Sequence, residues 1–127
     1  MTKPWTADDL NVWHRAQATN ERYLVIPKLR CADGYEVSIQ ASEGHYCEPR
    51  ASHAWPYQRF ELGFPTVADE DIMEYAEEPA RPTNTVYGFV PVAAVLLVIT
   101  KHGGPDKEAR ALVDKVSIAS HPCDVIE

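Results

Sequence analysis

The sequence predicts a single α+β domain: a mainly antiparallel sheet of about four strands packed on a buried helix at residues 91–102, with an N-terminal helix alongside. Three observations carry this. Two alternating apolar and polar runs flank Asp33-Gly34, a strong short-range hairpin signal. An unbroken apolar run at residues 92–99 lies between Pro91 and the stop Gly103-Gly104-Pro105. The chain has 127 residues, 45% apolar and 24% charged, which suffices for one packed core and argues against wholesale disorder.

The elements follow in order. Thr6 is the expected N-cap of a first helix, with Asp8 and Asp9 set to complement its positive end. Leu10, Trp13 and Ala16 share its inner side, Asn11 and Arg15 are expected in solvent, and the helix fades near Asn20. Tyr23-Leu24-Val25-Ile26, stopped by Pro27, reads as an edge strand. Residues 28–31 and 35–40 are the two arms of the hairpin, and 41–56, rich in Ser, Gly, Pro and His, form a loop. Residues 57–64 alternate as a strand closed by Pro65. Residues 66–78 read as an acidic helix, and 85–89 as another strand. The run at 92–99 is apolar on all sides of a helix and so expected at the centre of the core. A short helix at 106–115 and a last strand at 116–119 complete the chain, which has no internal repeat.

Charge and cysteine usage narrow the function classes. A net charge of −7 argues against a basic face for nucleic acid or an anionic membrane, and permits an acidic face that meets a basic partner. Three cysteines, Cys31, Cys47 and Cys123, are an odd number at wide spacing, which suits a reducing compartment. The first residues lack the apolar core of a signal peptide, and the longest apolar stretch, 89–99, is too short for a span and contains Pro91. A cytoplasmic protein is expected.

The central residues form a pattern. Cys31-Ala32-Asp33-Gly34, Ser38-Ile39-Gln40-Ala41-Ser42 and Tyr46-Cys47-Glu48-Pro49-Arg50 make its first part. Pro56-Tyr57, Glu61-Leu62-Gly63-Phe64-Pro65, Tyr75-Ala76-Glu77-Glu78-Pro79, the run from Thr85 to Val92 and His102-Gly103-Gly104 complete it. This pattern resembles a family of short bacteriophage and prophage proteins over residues 31–104. Residues 51–55 look local to this chain, and 105–127 read as a C-terminal extension. The resemblance implies a phage accessory product acting in a bacterial cytoplasm, and by analogy an inhibitor of host defence of the anti-CRISPR kind. It implies no catalytic residues.

Among the candidate sites, the acidic run comes first. Asp69, Glu70, Asp71, Glu74, Glu77 and Glu78 are six acids within ten residues, with no base among them. On a helix, 70, 74, 77 and 78 would share one side, where a basic protein surface that normally holds nucleic acid can dock. A solvated face explains the same run. A second candidate is Tyr46, Arg50, Tyr57 and Tyr87, where Arg50 grips the phosphate of a small molecule such as a signalling nucleotide and a ring stacks on its base. Core aromatics plus a surface arginine explain that set equally. Cys31, His45, Cys47 and His53 have the donor types for zinc, but no Cys-x-x-Cys pair is present, and a metal-free protein without cofactor is expected. Cys47 near His45 is the sole nucleophile–base pair on offer, and no Gly-x-Ser-x-Gly, His-Glu-x-x-His or Gly-x-Gly-x-x-Gly is present. The residues predict a non-enzymatic binding protein with an acidic contact surface, and the resemblance implies that its partner is a bacterial defence protein with a basic surface. The phosphate binder and a structural phage protein stand as alternatives, and self-association is left open.

Overall fold

The computed structural model describes residues 3–120. Thr6 opens helix α1, Ala7–Ala16, through a capping box: Asp9 N–H donates to Thr6 Oγ1 at 3.2 Å, and Thr6 N–H to Asp9 Oδ2 at 2.9 Å. Such a cap is worth about 1 kcal/mol. Leu10 and Trp13 are buried, as their spacing predicts, whereas Ala16, expected beside them at the helix end, is exposed. Asn11, expected in solvent, is buried too. Its side-chain amide pairs with the backbone of Tyr57, Oδ1 accepting at 2.7 Å and Nδ2 donating at 3.1 Å, so a polar residue sits inside without an unmet hydrogen bond.

The sheet has four antiparallel strands in the order β1, Leu29–Arg30; β2, Glu36–Gln40; β3, Arg59–Gly63; and β4, Val86–Pro91. The hairpin of β1 and β2 turns at Asp33-Gly34, where Gly34 takes the positive φ that the turn needs, +95°. Val37, Ile39, Phe60, Leu62, Tyr87 and Val90 point into one core. Both outer edges are covered. Arg30 O accepts from Asp106 N–H at 2.9 Å beside β1, and Glu77 N–H donates to Val86 O at 2.9 Å beside β4. Neither edge is open to receive a further strand.

Helix α2, Val92–Lys101, lies on β3 and β4 and against α1, while helix α3, Lys107–Ser120, packs on α1. The expected helix at 91–102 therefore forms, but it is not buried all round. Val95, Val98 and Ile99 face the core, whereas Leu97 is 52% exposed.

Three further expectations fail, each for a physical reason. Residues 23–26 make no strand, because the Gln40 side chain takes the place of a partner: its Oε1 accepts from Ile26 N–H at 2.9 Å and its Nε2 donates to Ile26 O at 2.8 Å. Leu24 and Ile26 are buried all the same. Residues 66–78 are not a helix but turns around one 3₁₀ turn, Met73–Tyr75. Like charges at helical spacing disfavour the helix, and from Ala76 the backbone is extended and bonds β4 instead. The expected strand at 116–119 is the continuation of α3. Among the described residues, no helix is long and apolar enough to cross a membrane.

Candidate functional site

The site begins with an irregularity in β4. Phe60 pairs with Val90 and Leu62 with Tyr87, so β4 carries one residue more than β3 between the two pairs. A bulge of this kind bends the strand and re-aims a side chain. Tyr87 and Val90 both remain in the core, and Phe89 is turned outward, 43% exposed, with φ of +54°. A bulky residue in the left-handed region is strained and survives where its surroundings impose it. Here Phe89 N–H donates to Tyr46 O at 2.9 Å, and Phe89 O accepts from Arg59 Nη1 at 3.1 Å.

Tyr46 is fixed beside it. Its backbone N–H donates to Glu61 Oε1 at 2.9 Å, and its ring lies 5.7 Å from that of Phe89 at an interplanar angle of 37°. The absence of a side chain at Gly88 permits this approach, since a Cβ there would stand 3.3 Å from Tyr46 Cβ. The Arg50 guanidinium stands 5.0 Å over the Tyr46 ring centroid.

The acidic run supplies the rest of the lining. Ala76 pairs with Tyr87, Glu77 N–H bonds Val86 O, and Glu78 N–H donates to Thr85 Oγ1 at 2.9 Å, so this stretch is zipped onto the free side of β4. Tyr46, Gly88, Phe89, Glu74, Tyr75 and Glu77 together line a shallow, open cleft of about 400 Å³. Neither Glu74 nor Glu77 forms an ion pair among the described residues.

The structure divides the remaining candidates. Glu70 and Glu78 are exposed outside the cleft. Asp69 faces inward, with its side chain 2% exposed, and Lys101 Nζ reaches it at 3.3 Å and Asp71 at 3.1 Å. Burial acts to raise the Asp69 pKa, but hydrogen bonds from the Asp71 N–H and from Lys101 outweigh it and hold the carboxyl below the usual range. His102 joins this latch. Its Nδ1 lies 2.8 Å from Asp33 Oδ2, its Nε2 3.4 Å from Asp69 Oδ2, and its ring stacks on Tyr35 at 3.8 Å and 4°. The latch ties the hairpin turn, the end of α2 and the start of the acidic run together.

Tyr57 and Tyr87 are core residues. Each is at most 1% exposed, and their hydroxyls donate to Ala51 O and Pro82 O, both at 2.5 Å. Of the four residues proposed for a phosphate ligand, Tyr46 and Arg50 alone reach the surface together.

Cys31 and Cys47 are buried free thiols, and Cys123 lies outside the described residues. Burial, with Asp33 and Asp106 nearby, pushes the Cys31 thiol up to about 12, and burial raises Cys47 as well. Cys47 Sγ donates to Ser42 O at 3.2 Å, while His45 Nδ1 bonds Ser42 Oγ at 2.7 Å and His53 Nε2 bonds Thr19 O at 2.7 Å. Each of these side chains is committed to holding the 41–56 loop. No group of three or more His, Cys, Asp or Glu among the described residues is placed to hold a metal ion. A thiol held protonated makes a poor nucleophile.

Tyr75 and Phe89 belong to the phage-like pattern of the sequence but to neither of its candidate binding sets. Gly88 was the available signal, because a glycine inside a strand pattern marks a bulge or a close approach. Comparison of the chain with protein-family models, with curated proteins and with solved structures finds no match at all.

Proposed function

We propose that this chain is a non-enzymatic binding protein that docks on a basic surface of a partner protein through the cleft of Tyr46, Tyr75, Phe89, Glu74 and Glu77. One observation carries the reading: a strained backbone bulge turns a phenylalanine out of the core and sets it beside a second exposed ring and two carboxylates that have no ion pair among the described residues. Exposed aromatics anchor protein interfaces, and carboxylates at their rim set polarity and speed encounter. The net charge of −7 adds a long-range attraction of the same sign.

The resemblance of residues 31–104 to short phage proteins supports a bacterial partner. A defence component that handles nucleic acid carries the basic surface that this cleft complements, so inhibition by occupying that surface is the proposed activity. The phosphate-binding alternative is weaker. It keeps Arg50 and Tyr46, but Glu74 and Glu77 in the adjoining cleft repel a phosphate.

The test is phage plating. Expressed in bacteria whose nucleic-acid-binding defence restricts a phage, the protein should restore plaques, and Phe89→Ala, which keeps the positive φ and loses part-buried ring area, should abolish the effect while the protein stays folded. A Phe89→Ala variant that folds and still protects would overturn the cleft as the contact.

A further inference from the structure

We propose that the group seated in this cleft is the guanidinium of a partner arginine. The inference rests on the reading of the cleft as a protein contact and adds the chemistry of its anchor. Three features point to it. The cleft presents aromatic surface from Tyr46 and Phe89, 41% and 43% exposed, with rings 5.7 Å apart at 37°. Its lining also carries two carboxylates free of ion pairs among the described residues, Glu74 and Glu77. A ligand that satisfies both must be cationic and must also lie flat on a ring.

A guanidinium does both. It is planar, weakly hydrated and permanently charged, and its N–H groups fork onto a carboxylate while its face rests on a ring. An ammonium is a compact, strongly hydrated point charge that gives up more hydration to reach an aromatic wall. The chain shows the preference on its own surface. Both of its cation–π contacts among the described residues are made by arginine, Arg50 over Tyr46 at 5.0 Å and Arg22 over Tyr23 at 5.2 Å. Arg50 does not line the cleft, so it stands beside the seat without filling it.

The experiment is an NMR titration of the full chain, following the Gly88 amide at the floor of the cleft. N-acetyl-arginine amide is the probe, with N-acetyl-lysine amide, its trimethyl-lysine counterpart and adenosine monophosphate as the other arms. The arginine probe should give a saturable shift and bind about fivefold tighter than the lysine probe. Combining Glu74→Gln with Glu77→Gln should weaken it about tenfold at unchanged melting temperature. Arg50→Ala should leave it unchanged. Preference for either lysine probe, no saturable shift at Gly88, or loss of arginine binding in Arg50→Ala would each overturn the proposal. Saturable binding of the monophosphate that needs Arg50 would overturn it in favour of an anion site. The two readings separate cleanly. If Phe89→Ala loses phage protection while the arginine probe fails to bind, the contact stands and its anchor is another group.

Discussion

The two halves of one acidic run have opposite fates. Asp69 and Asp71 turn toward Lys101 and His102 and become part of a half-buried latch, whereas Glu74 and Glu77, a few residues on, line an open cleft and have no counter-ion among the described residues. The cause lies in the backbone. Had residues 66–78 formed the expected helix, Glu70, Glu74, Glu77 and Glu78 would have shared one side. The chain instead turns at Asp69, where the Asp69 carboxylate accepts from Asp71 N–H at 3.0 Å, and then extends along β4. A run of like charges is therefore two devices here: one closes the fold, and the other faces outward.

Acid titration gives the largest expected effect and shows that the latch is not the first polar element to fail. His14 is fully buried among Trp55, Tyr57 and Phe60, with Nδ1 accepting from Trp55 Nε1 at 2.9 Å. Burial, with His45 adding to it, lowers its pKa to about 4. The unfolded chain binds this proton from about pH 6.5 downward and the folded chain does not, so stability is lost as pH falls from 6.5 towards 4, by about 3 kcal/mol in all. Asp69 works in a lower window. Its pKa is depressed, so its contribution is complete above the ordinary carboxyl value near 3.8 and is lost below it. Chemical denaturation at pH 7, 5 and 4 should show the first loss, and His14→Gln, whose amide can still accept from Trp55, should flatten it. If His14→Gln leaves the slope between pH 7 and 4 intact, His14 is not the group that titrates.

Asp69→Ala against Glu74→Gln tests the division itself. Removing the buried carboxylate strands the Asp71 N–H, takes a counter-ion from Lys101 and removes a contact of His102. Half of Lys101 is exposed, which limits the loss to about 2 kcal/mol. Glu74→Gln should cost under about 0.5 kcal/mol. Equal melting temperatures for the two variants would mean that the latch holds nothing.

How much of this was legible follows from the range of each signal. The capping box at Thr6, the Asp33-Gly34 hairpin and the helix between Pro91 and Gly103 are set by neighbours within a few residues, and each forms where the sequence puts it. The failures are long-range. Asn11 is buried because Tyr57 lies across from it, and residues 23–26 forgo a partner strand because Gln40 serves them. The site was half legible. Tyr46, Glu74 and Glu77 were named from the sequence, but in two separate candidate sets, and nothing short of the sheet register shows that the bulge at Phe89 joins them.

Phe89→Gly sets stability against function within the cleft. Glycine takes a φ of +54° without the penalty that a bulky side chain meets, and the ring it removes is 43% exposed. Relief of strain, about 1–2 kcal/mol, is opposed by loss of part-buried ring area and by the entropy glycine adds to the unfolded chain, and the expected net change is a loss of about 1 kcal/mol or less. Partner binding should be lost nonetheless. A loss well beyond that would show that the ring serves the fold, and the bulge would then need no functional account.

The smallest effect on stability belongs to the two glutamates, and it tests the cleft most directly. Glu74→Gln and Glu77→Gln together remove two charges, change no contact in the core, and should shift the melting temperature by less than about 2 °C. Association with the partner should slow, because attraction between exposed charges steers encounter, and the difference from the parent should shrink as salt rises and the screening length falls below about 8 Å. Reversing Glu70 and Glu78, the exposed acids of the same run outside the cleft, is the control. It changes net charge by twice as much, yet should weaken the complex less once formed. If binding follows net charge alone, whichever glutamates are changed, the run acts as a diffuse acidic field and the aromatic cleft confers no specificity.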